Sequence, residues 1–239
     1  IKRENERKLY DQRISFFTNI AHEIRTPLSL IIGPLECVMK SRKIKDEYGE
    51  YLSAIERNYQ RLYALVNQLL DFRKVDSSNY KMCYDVCDMG AIIGDLLDMF
   101  RPSALQHGIR LKVELPDKGP EIVTDREAMT KIVSNLLSNA MKFARSEIRI
   151  MACEAEGGMR LEVEDDGPGI PPEERDRIFD AFYQASNNHA SAGRGGVGIG
   201  LHMCRTYISL MNGTITATSR DDGKEGALLR LFTPHPSNE

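Results

Sequence analysis

The sequence predicts an α+β protein, in which a helical hairpin that dimerises into a four-helix bundle is followed by an α/β sandwich domain. The first third of the chain holds two long stretches with apolar residues every three or four positions, as in amphipathic helices. The rest mixes short alternating segments with helical ones, which favours layered α/β structure. At 239 residues the chain also exceeds the usual single-domain size. We therefore expect a hairpin at 1–76, a linker at 77–80 and a second domain at 81–239.

The hairpin is predicted from two apolar stripes that are separated by the polar connector SRKIKDE. We expect the first helix from about Ile14 to Met39 and the second from Tyr48 to Leu69. Two helices with one stripe each cannot enclose a core, so each hairpin needs a second copy. The sequence therefore predicts a homodimer.

The second domain is expected to begin after Asp76, where SSNY interrupts the helical pattern. The expected strands are KMCYDVC, IRLKVEL, EIRIMACEA, MRLEVED, GTITATSR and ALLRLFT. The expected helices are Met89 to His107, Arg126 to Phe143, Pro172 to Phe179 and Gly200 to Met211. Strands that alternate with helices in this way indicate a sheet covered by helices.

Composition excludes several classes of function. A formal net charge of -3 and a pI near 6.0 provide no basic field, so nucleic acid is not an expected partner. The sequence has no apolar run of the roughly 18 residues that a membrane-spanning helix needs. The five cysteines form no C-x-x-C pair, which indicates reduced intracellular thiols rather than disulfides or a zinc site. The charged, helix-favouring start IKRENERKLYDQRI indicates a piece of a longer protein.

His22 is the candidate nucleophile of the first helix. On an ideal helix of about 100° per residue it falls roughly 150° from the centre of the apolar stripe, so it is expected to face solvent. Glu23 adjoins it, and Thr26 lies one turn later on the same exposed side. A neutral imidazole can attack a phosphoryl group if an acceptor such as Glu23 holds the other ring N–H. Thr26 is suited to orienting a hydrolytic water.

A polar face on the helix KIVSNLLSNAMKFA is the first candidate binding feature of the second domain. Asn135, Asn139 and Lys142 follow one another at spacings of four and three, while the apolar residues between them fill the core. Carboxamide oxygens suit Mg²⁺, and a lysine ammonium suits phosphate. A solvated helix face is the alternative, and it would be the better interpretation if this helix stood alone.

Two glycine-rich segments follow. In VEDDGPGI, Gly167 and Gly169 remove side chains where a flat base could approach the backbone, and Asp165 can accept from an exocyclic amine such as that of adenine. An ordinary turn is the alternative interpretation.

The second glycine-rich segment, GRGGVGIGL, precedes an apolar helix whose first N–H groups could receive triphosphate oxygens. Its glycines Gly196, Gly198 and Gly200 are therefore candidate phosphate contacts. The segment lacks P-loop spacing, and its position after Gln184 to Ala192 suggests a lid.

Taken in order, these segments resemble two known families. HEIRTPL resembles the H box of the HisKA dimerisation and histidine phosphotransfer domains, whose matching histidine accepts the phosphoryl group. NLLSNAMK, DDGPGI, IFDAFYQ and GVGIGL resemble the N, G1, F and G2 boxes of the GHKL-type ATP-binding domain. Four ordered matches are hard to obtain by chance. The resemblance covers about Lys81 to Pro234, and the hairpin fits the first family.

The resemblance implies a role for each matched residue. Asn139 is expected to hold Mg²⁺, Asn135 and Lys142 to approach the phosphates of ATP, and Asp165 to bind the adenine amino group. Phe179 and Phe182, the aromatic residues of the F-box match, are expected at the base of the lid. The sequence departs from the family pattern at Val197, where many members have Ser or Thr, and at Phe143, which replaces a frequent Tyr.

The expected function is that of a histidine kinase in a two-component system. It takes the γ-phosphoryl group of ATP onto His22 and passes it to an aspartate of a receiver domain, in cis or in trans, with phosphatase activity as a further expectation. The fragment is expected in the cytoplasm and its parent at the plasma (inner) membrane. A GHKL ATPase of another class, such as a chaperone, topoisomerase or anti-sigma kinase, and a non-catalytic dimeric scaffold are the alternatives. His22 and its dimerising hairpin argue against the first alternative. The presence of His22, Glu23, Asn139 and Asp165 argues against the second.

Overall fold

A computed structural model describes residue 24 and residues 26–34, 48–76, 80–116, 119–184 and 198–235. Chain contacts divide it between two compact units, with the boundary after Asp76. The first unit is helical and the second mixes helices with strands. The mixture of helices and sheet agrees with the predicted α+β class.

The first unit contains a helical stretch at 26–34, α1, and the long helix α2, Tyr48–Asp76. Pro27 on α1 is buried, whereas large apolar side chains on both helices face solvent. On α2 the exposed fractions are 58% for Leu52, 54% for Tyr59 and 56% for Tyr63. Because seven and four residues separate these three, they lie on one face of the helix.

The second unit is built on a sheet. Among the described residues the strands are β1 Tyr84–Asp88, β2 Arg110–Glu114, β3 Glu121–Asp125, β4 Glu147–Ala155, β5 Gly158–Asp165, β6 Thr214–Ser219 and β7 Ala227–Pro234. Strands β2, β4, β5, β7 and β6 form one five-stranded sheet in that order, with the β2–β4 pair parallel and the other pairs antiparallel. Strands β1 and β3 form a separate antiparallel ribbon.

Helices α3 Met89–Gln106, α4 Arg126–Phe143 and α5 Gly200–Leu210 supply the apolar partners of the sheet. Alternate residues of the central strands point to a common core, which contains Ile148, Ile150, Leu161, Val163 and Leu231. The apolar stripe of α4 is fully enclosed in this core. The helical layer and the sheet therefore form the sandwich that the sequence predicted.

Several of the strand residues that alternate with these core residues, and so point to the other face of the sheet, carry charge. Arg230 pairs with Glu162 at 2.5 Å, and Arg220 with Glu164 at 3.2 Å. Glu162 of β5 and Arg230 of β7 are direct cross-strand partners, whereas Arg220 directly follows β6. Ion pairing lets these carboxylates stay largely buried without an unpaired charge.

Two elements differ from expectation. Strand β3 was not expected, and Pro172 to Phe179 is not one helix but two 3₁₀ turns, Pro172–Glu174 and Arg177–Phe179. The carbonyl of Asp176 accepts from Arg205 at 3.2 Å, while Asp180 N–H donates to Arg177 at 2.9 Å. The Asp176 carbonyl is thus bonded to the Arg205 side chain, and the Asp180 N–H is bonded three residues back in the chain. Neither group makes the i→i+4 bond of a continuous α-helix.

Candidate functional site

The helix α4 is the central element of the candidate site, and its start is fixed by a buried N-cap. Asp125 accepts hydrogen bonds from Ala128 N at 2.9 Å, from Cys83 N at 3.0 Å and from the Tyr80 hydroxyl at 3.2 Å. Burial opposes the charge of Asp125, but these bonds outweigh it and lower the pKa of the carboxyl. Because the cap fixes the residue at which α4 begins, it also fixes which residues lie on the polar face of the helix.

Asn135, Asn139 and Lys142 are half-buried along α4, while the apolar residues between them are enclosed. The Lys142 ammonium lies 4.9 Å from the centre of the neighbouring Phe143 ring. Partial burial shows that these side chains are not fully solvated, which favours the binding interpretation over a solvated face. The arrangement can offer two carboxamides and one cation to a ligand.

Asp165 ends β5 and is buried at 6% exposure. Burial raises the pKa of its carboxyl to about 6, although hydrogen bonds from the backbone N–H groups of Gly167 and Ala227 act in the opposite direction. Its Oδ1 accepts from Gly167 N at 2.9 Å. A buried carboxylate held by backbone donors is pre-oriented to accept a further hydrogen bond from a ligand.

The glycines after Asp165 allow close packing of the loop. A Cβ on Gly167 would lie 2.6 Å from the carbonyl oxygen of Phe143 and 2.7 Å from Asp165 Oδ1. Gly169 has φ of 73°, a region that side chains rarely adopt. The space that a side chain at Gly167 would fill is therefore occupied by the end of α4 and by Asp165. This packing requires glycine here, whether or not a base approaches the loop.

Asp166 is a structural residue of the site that the sequence analysis missed. Its carboxylate accepts from Arg145 N at 2.8 Å, Ser146 N at 3.0 Å and Ser146 Oγ at 2.6 Å. Burial opposes its charge, but these donors lower the pKa of Asp166 to about 2. Asp166 thus ties the loop after β5 to the turn after α4. Its partners lie about 20 residues away in the sequence, so no local pattern marks them.

The start of α5 approaches α4 from another side. A Cβ on Gly200 would lie 3.3 Å from Asn135 Oδ1. Just before α5, the carbonyl oxygen of Gly198 accepts from Phe182 N at 2.9 Å. The structure therefore brings Asn135, Gly200 and Gly198 into one region, together with the segment that holds Phe182.

The two aromatic residues of the F-box match, Phe179 and Phe182, differ in burial. Phe179 is buried, its carbonyl oxygen lies 3.1 Å from His202 Nδ1, and the Arg205 guanidinium lies 4.7 Å from its ring centre. Phe182 is half-buried with φ of 67°. Phe179 thus packs in the core, while Phe182 lies beside Gly198.

Several predicted residues lie outside the described part of the chain. They are His22, Glu23 and Gly196, together with Val197, where the sequence departs from the family pattern. Thr26 is described, and it is exposed on α1 as predicted. Among the helices that the structure describes, no segment is long and apolar enough to cross a bilayer.

Two family models match successive parts of the chain. Residues 12–78 match the family described as the His Kinase A (phospho-acceptor) domain, and residues 124–237 match the histidine kinase-, DNA gyrase B- and HSP90-like ATPases. A sensor histidine kinase, TmoS of Ectopseudomonas mendocina, is 34% identical over 237 residues. That alignment covers 97% of this chain but only 24% of TmoS. The chain thus spans about a quarter of that relative.

Solved structures show the same fold. The histidine kinase AdeS of Acinetobacter baumannii superposes with a TM-score of 0.71 and 20% identity, over 90% of this chain and 98% of that one. Full-length ShkA in complex with AMPPNP superposes with a TM-score of 0.68 and 24% identity, over 93% of this chain and 46% of that one.

A phospho-acceptor domain match is thus followed in the chain by an ATPase domain match of the histidine kinase type. This order of matches identifies the catalytic core of a histidine kinase. Within that class, the chain belongs to the HisKA type, with a phospho-acceptor domain and an HATPase domain in one polypeptide.

Proposed function

We propose that this chain catalyses ATP-dependent phosphorylation of its own His22 and transfer of the phosphoryl group to a receiver-domain aspartate. The observation that supports it most is the convergence on α4. Gly167 meets the carbonyl of Phe143 at its end, and Gly200 meets Asn135 in its middle. Two segments that lie far apart in sequence thus contact the same helix, one of them at Asn135.

In this proposal the polar face of α4 binds the triphosphate of Mg²⁺-ATP. The side-chain oxygen of Asn139 is the metal ligand, and Asn135 and Lys142 approach the phosphates. The donor set fits, because amide oxygens are hard ligands and a half-buried ammonium can pair with an anion. The bound Mg²⁺ supplies charge neutralisation on the phosphates.

Asp165 recognises the adenine amino group, and the glycine-rich segments approach the nucleotide through their backbone. The carboxylate of Asp165 is already held by Gly167 N–H, so little reorientation is needed when a donor arrives. Gly167, Gly169, Gly196, Gly198 and Gly200 are the proposed backbone contacts. That ShkA was solved with AMPPNP supports an adenine nucleotide as the ligand of this fold.

The chemical step is an in-line transfer. A neutral imidazole nitrogen of His22 forms the new P–N bond as the bond between the γ-phosphorus and the bridging oxygen breaks, and ADP leaves. Glu23 accepts the hydrogen bond of the other ring nitrogen and stabilises the positive charge that develops on the ring. The phosphoryl group then moves to an aspartate of a receiver domain, in cis or in trans.

Three further assignments belong to this proposal. The exposed stripe of α2 forms a homodimer interface, as the phospho-acceptor family match supports. Thr26 orients the water that hydrolyses the phosphorylated partner. The complete protein is anchored in the plasma (inner) membrane, with this part on the cytoplasmic side.

The test is incubation of the parent chain and His22→Gln with Mg²⁺ and γ-labelled ATP. We expect label on the parent that is lost in acid and retained in base, as for a phosphoramidate. His22→Gln should take up none while binding nucleotide with parental affinity. Labelling of His22→Gln at the parental level would refute the assignment of the phospho-acceptor.

A further inference from the structure

Three segments of the second unit meet beside Asp165, the proposed adenine-binding residue. They are the loop after β5 at 166–169, the turn after α4 at 144–146 and the turn between β6 and β7 at 220–226. A Cβ on Gly226 would collide with the backbone oxygen of Asp165, and a Cβ on Gly169 would lie 3.0 Å from the carbonyl oxygen of Gly226. The loop after β5 therefore packs directly on the turn before β7.

Asp166 connects the loop after β5 to the turn after α4. Its carboxylate accepts the backbone N–H groups of Arg145 at 2.8 Å and of Ser146 at 3.0 Å, and it also accepts the Ser146 hydroxyl at 2.6 Å. Two consecutive backbone N–H groups are thus bound by one side chain. Because Asp166 directly follows Asp165 in the chain, the bonds that hold Asp166 also limit the movement of the Asp165 backbone.

Arg145 continues the connection to the turn before β7. While its backbone N–H is bound by Asp166, its guanidinium makes a bidentate ion pair with Glu225, with N–O distances of 2.7 and 2.9 Å. Such pairs fix orientation as well as distance. Glu225 immediately precedes Gly226, whose backbone lies against the carbonyl of Asp165. The chain of contacts therefore begins and ends at Asp165.

This closed ring gives an exposed ion pair an effect that it would not have alone. The side chains of Arg145 and Glu225 are 59% and 57% exposed, and an isolated pair so exposed contributes little to stability. A hydrogen bond to a ligand, however, depends steeply on the distance and angle between donor and acceptor. Loosening the ring should therefore affect ligand binding at Asp165 more than the stability of the fold.

We infer that Asp166, Arg145 and Glu225 form a brace, which holds the Asp165 carboxylate where it accepts a hydrogen bond from the adenine amino group. All three are positioning residues, and they determine how strongly the site prefers adenine to a purine without that group. The inference rests on the proposed adenine role of Asp165. It extends the site to a turn whose residues lie outside the glycine-rich motifs.

The test measures the affinity of the full chain for two ligands with Mg²⁺: ADP, and purine riboside diphosphate, which lacks the exocyclic amino group. The parent should bind ADP about tenfold more tightly, as expected for one hydrogen bond to a charged acceptor, and Asp165→Ala should abolish this preference. Asp166→Ala should reduce the preference to about threefold or less, while its affinity for the purine ligand changes by less than about twofold. Asp166→Asn keeps one acceptor oxygen and should be intermediate.

The ion pair tests the other arm of the brace, and it decides the question if Asp166→Ala does not fold. Arg145→Glu places two carboxylates together and should lower the ADP preference about threefold, with little change in unfolding temperature because both side chains are exposed. The exchange Arg145→Glu/Glu225→Arg restores opposite charges and should return the preference to within about twofold of the parent. An exchange variant that stays as low as Arg145→Glu would overturn the brace.

The matched control is Asp222→Ala, in the turn before β7. The Asp222 carboxylate also accepts several donors, from the Arg220 guanidinium at 2.8 and 3.1 Å and from Lys224 N at 3.1 Å. These donors belong to the same turn, within two residues of Asp222. Asp222→Ala should therefore keep the parental ADP preference. If it lowered the preference as much as Asp166→Ala, the effect would be general loosening, and the inference would be wrong.

The remaining outcomes separate two failures. If the parent does not prefer ADP, or if Asp165→Ala keeps the preference, the adenine role of Asp165 is wrong and the inference falls with it. The labelling of His22 tests the proposed phosphorylation independently. If Asp165→Ala removes the preference but Asp166→Ala keeps it, or loses affinity for both ligands equally, only the brace is overturned.

Discussion

Helices α2 and α4 have the same kind of apolar periodicity, yet the structure treats their stripes in opposite ways. On α4, Ile132, Leu136 and Leu137 are completely buried under the sheet of their own unit. On α2, Leu52 and Tyr59 remain more than half exposed. A stripe therefore predicts that a helix will be covered, but it does not say by what. Helix α4 finds its cover within the described part of the chain, and for α2 the proposed cover is a second molecule.

Breaking the α2 stripe should have the largest effect. The double variant Leu52→Glu/Tyr59→Glu should raise the dimer dissociation constant by about 100-fold or more, since burial of each side chain contributes about 1.5–3 kcal/mol. Sedimentation over a range of concentrations measures it. Nucleotide affinity should not change, because the second unit keeps its own core.

Two comparisons control this result. Ser53→Glu/Gln60→Glu places the same charges at exposed polar positions of α2 and should remain dimeric. The fragment 81–239 should be monomeric and still bind nucleotide. A dimeric double variant, or a dimeric fragment, would mean that the α2 stripe is not the interface.

On α4 the polar face, rather than the apolar stripe, is expected to matter for binding. Asn139→Ala should weaken Mg²⁺-ATP binding about 10- to 100-fold, because it removes a metal ligand from a preformed site. Ser138→Ala, at the adjacent exposed position, is the control and should bind like the parent. Titration calorimetry with and without Mg²⁺ distinguishes a metal role from general damage. Equal losses in both conditions would remove Asn139 from the metal site.

Replacement of Asp165 should increase the stability of the nucleotide-free protein and weaken ATP binding. Its pKa of about 6 exceeds the ordinary 3.8, so its effect on stability is favourable below about pH 3.8 and is lost as pH rises through 6. Asp165→Asn should therefore stabilise the nucleotide-free protein at pH 7.5 by about 1–3 kcal/mol, while weakening ATP binding about tenfold.

The pH dependence provides the check. Affinity of the parent for ATP should decline as pH falls below 6, because the protonated carboxyl is a poorer acceptor for the adenine amine. Asp165→Asn should show no such decline. The assignment of Asp165 to the adenine amine would be contradicted if Asp165→Asn were less stable than the parent at about pH 7.5. It would also be contradicted if the ATP affinity of the parent did not change between about pH 5 and pH 7.5.

Thr26 should produce the smallest change in kinase activity. Thr26→Ala leaves His22, Glu23 and the nucleotide site intact, and alanine favours helix, so autophosphorylation should stay within about twofold of the parent. Dephosphorylation of a phosphorylated receiver domain with ADP present should slow by at least about tenfold. Equal loss of both activities would indicate that Thr26 only supports the helix. An unchanged phosphatase rate would exclude it from the mechanism.

Local patterns predicted most of the second unit. The helices Arg126–Phe143 and Gly200–Leu210 and the strands Gly158–Asp165 and Ala227–Pro234 agree to within one residue with those expected from apolar periodicity. The prediction failed where long-range contacts decide. Strand β3 has only five residues and exists by pairing with β1. Its partner strand lies far away in sequence, so no local signal marks it.

The same limit applies to the candidate site. Residue types and spacing singled out Asn135, Asn139 and Asp165, because polar groups on an otherwise apolar pattern are conspicuous. Asp166 was missed, since its partners lie about 20 residues away in the sequence. The approach of a flat base, which the sequence indicated, was only part of the reason for glycine at position 167. Only the packed structure shows the carbonyl of Phe143 against it.

The most direct test of the whole account is to locate the phosphoryl group after reaction with Mg²⁺-ATP, by peptide mass spectrometry under neutral or alkaline conditions. The sequence contains five histidines, and the account predicts the group on the peptide with His22 alone. Asn139→Ala, treated alike, should carry far less at that peptide. A phosphoryl group on His107, His202 or a serine, with His22 unmodified, would contradict the central claim that the hairpin accepts what the second unit delivers.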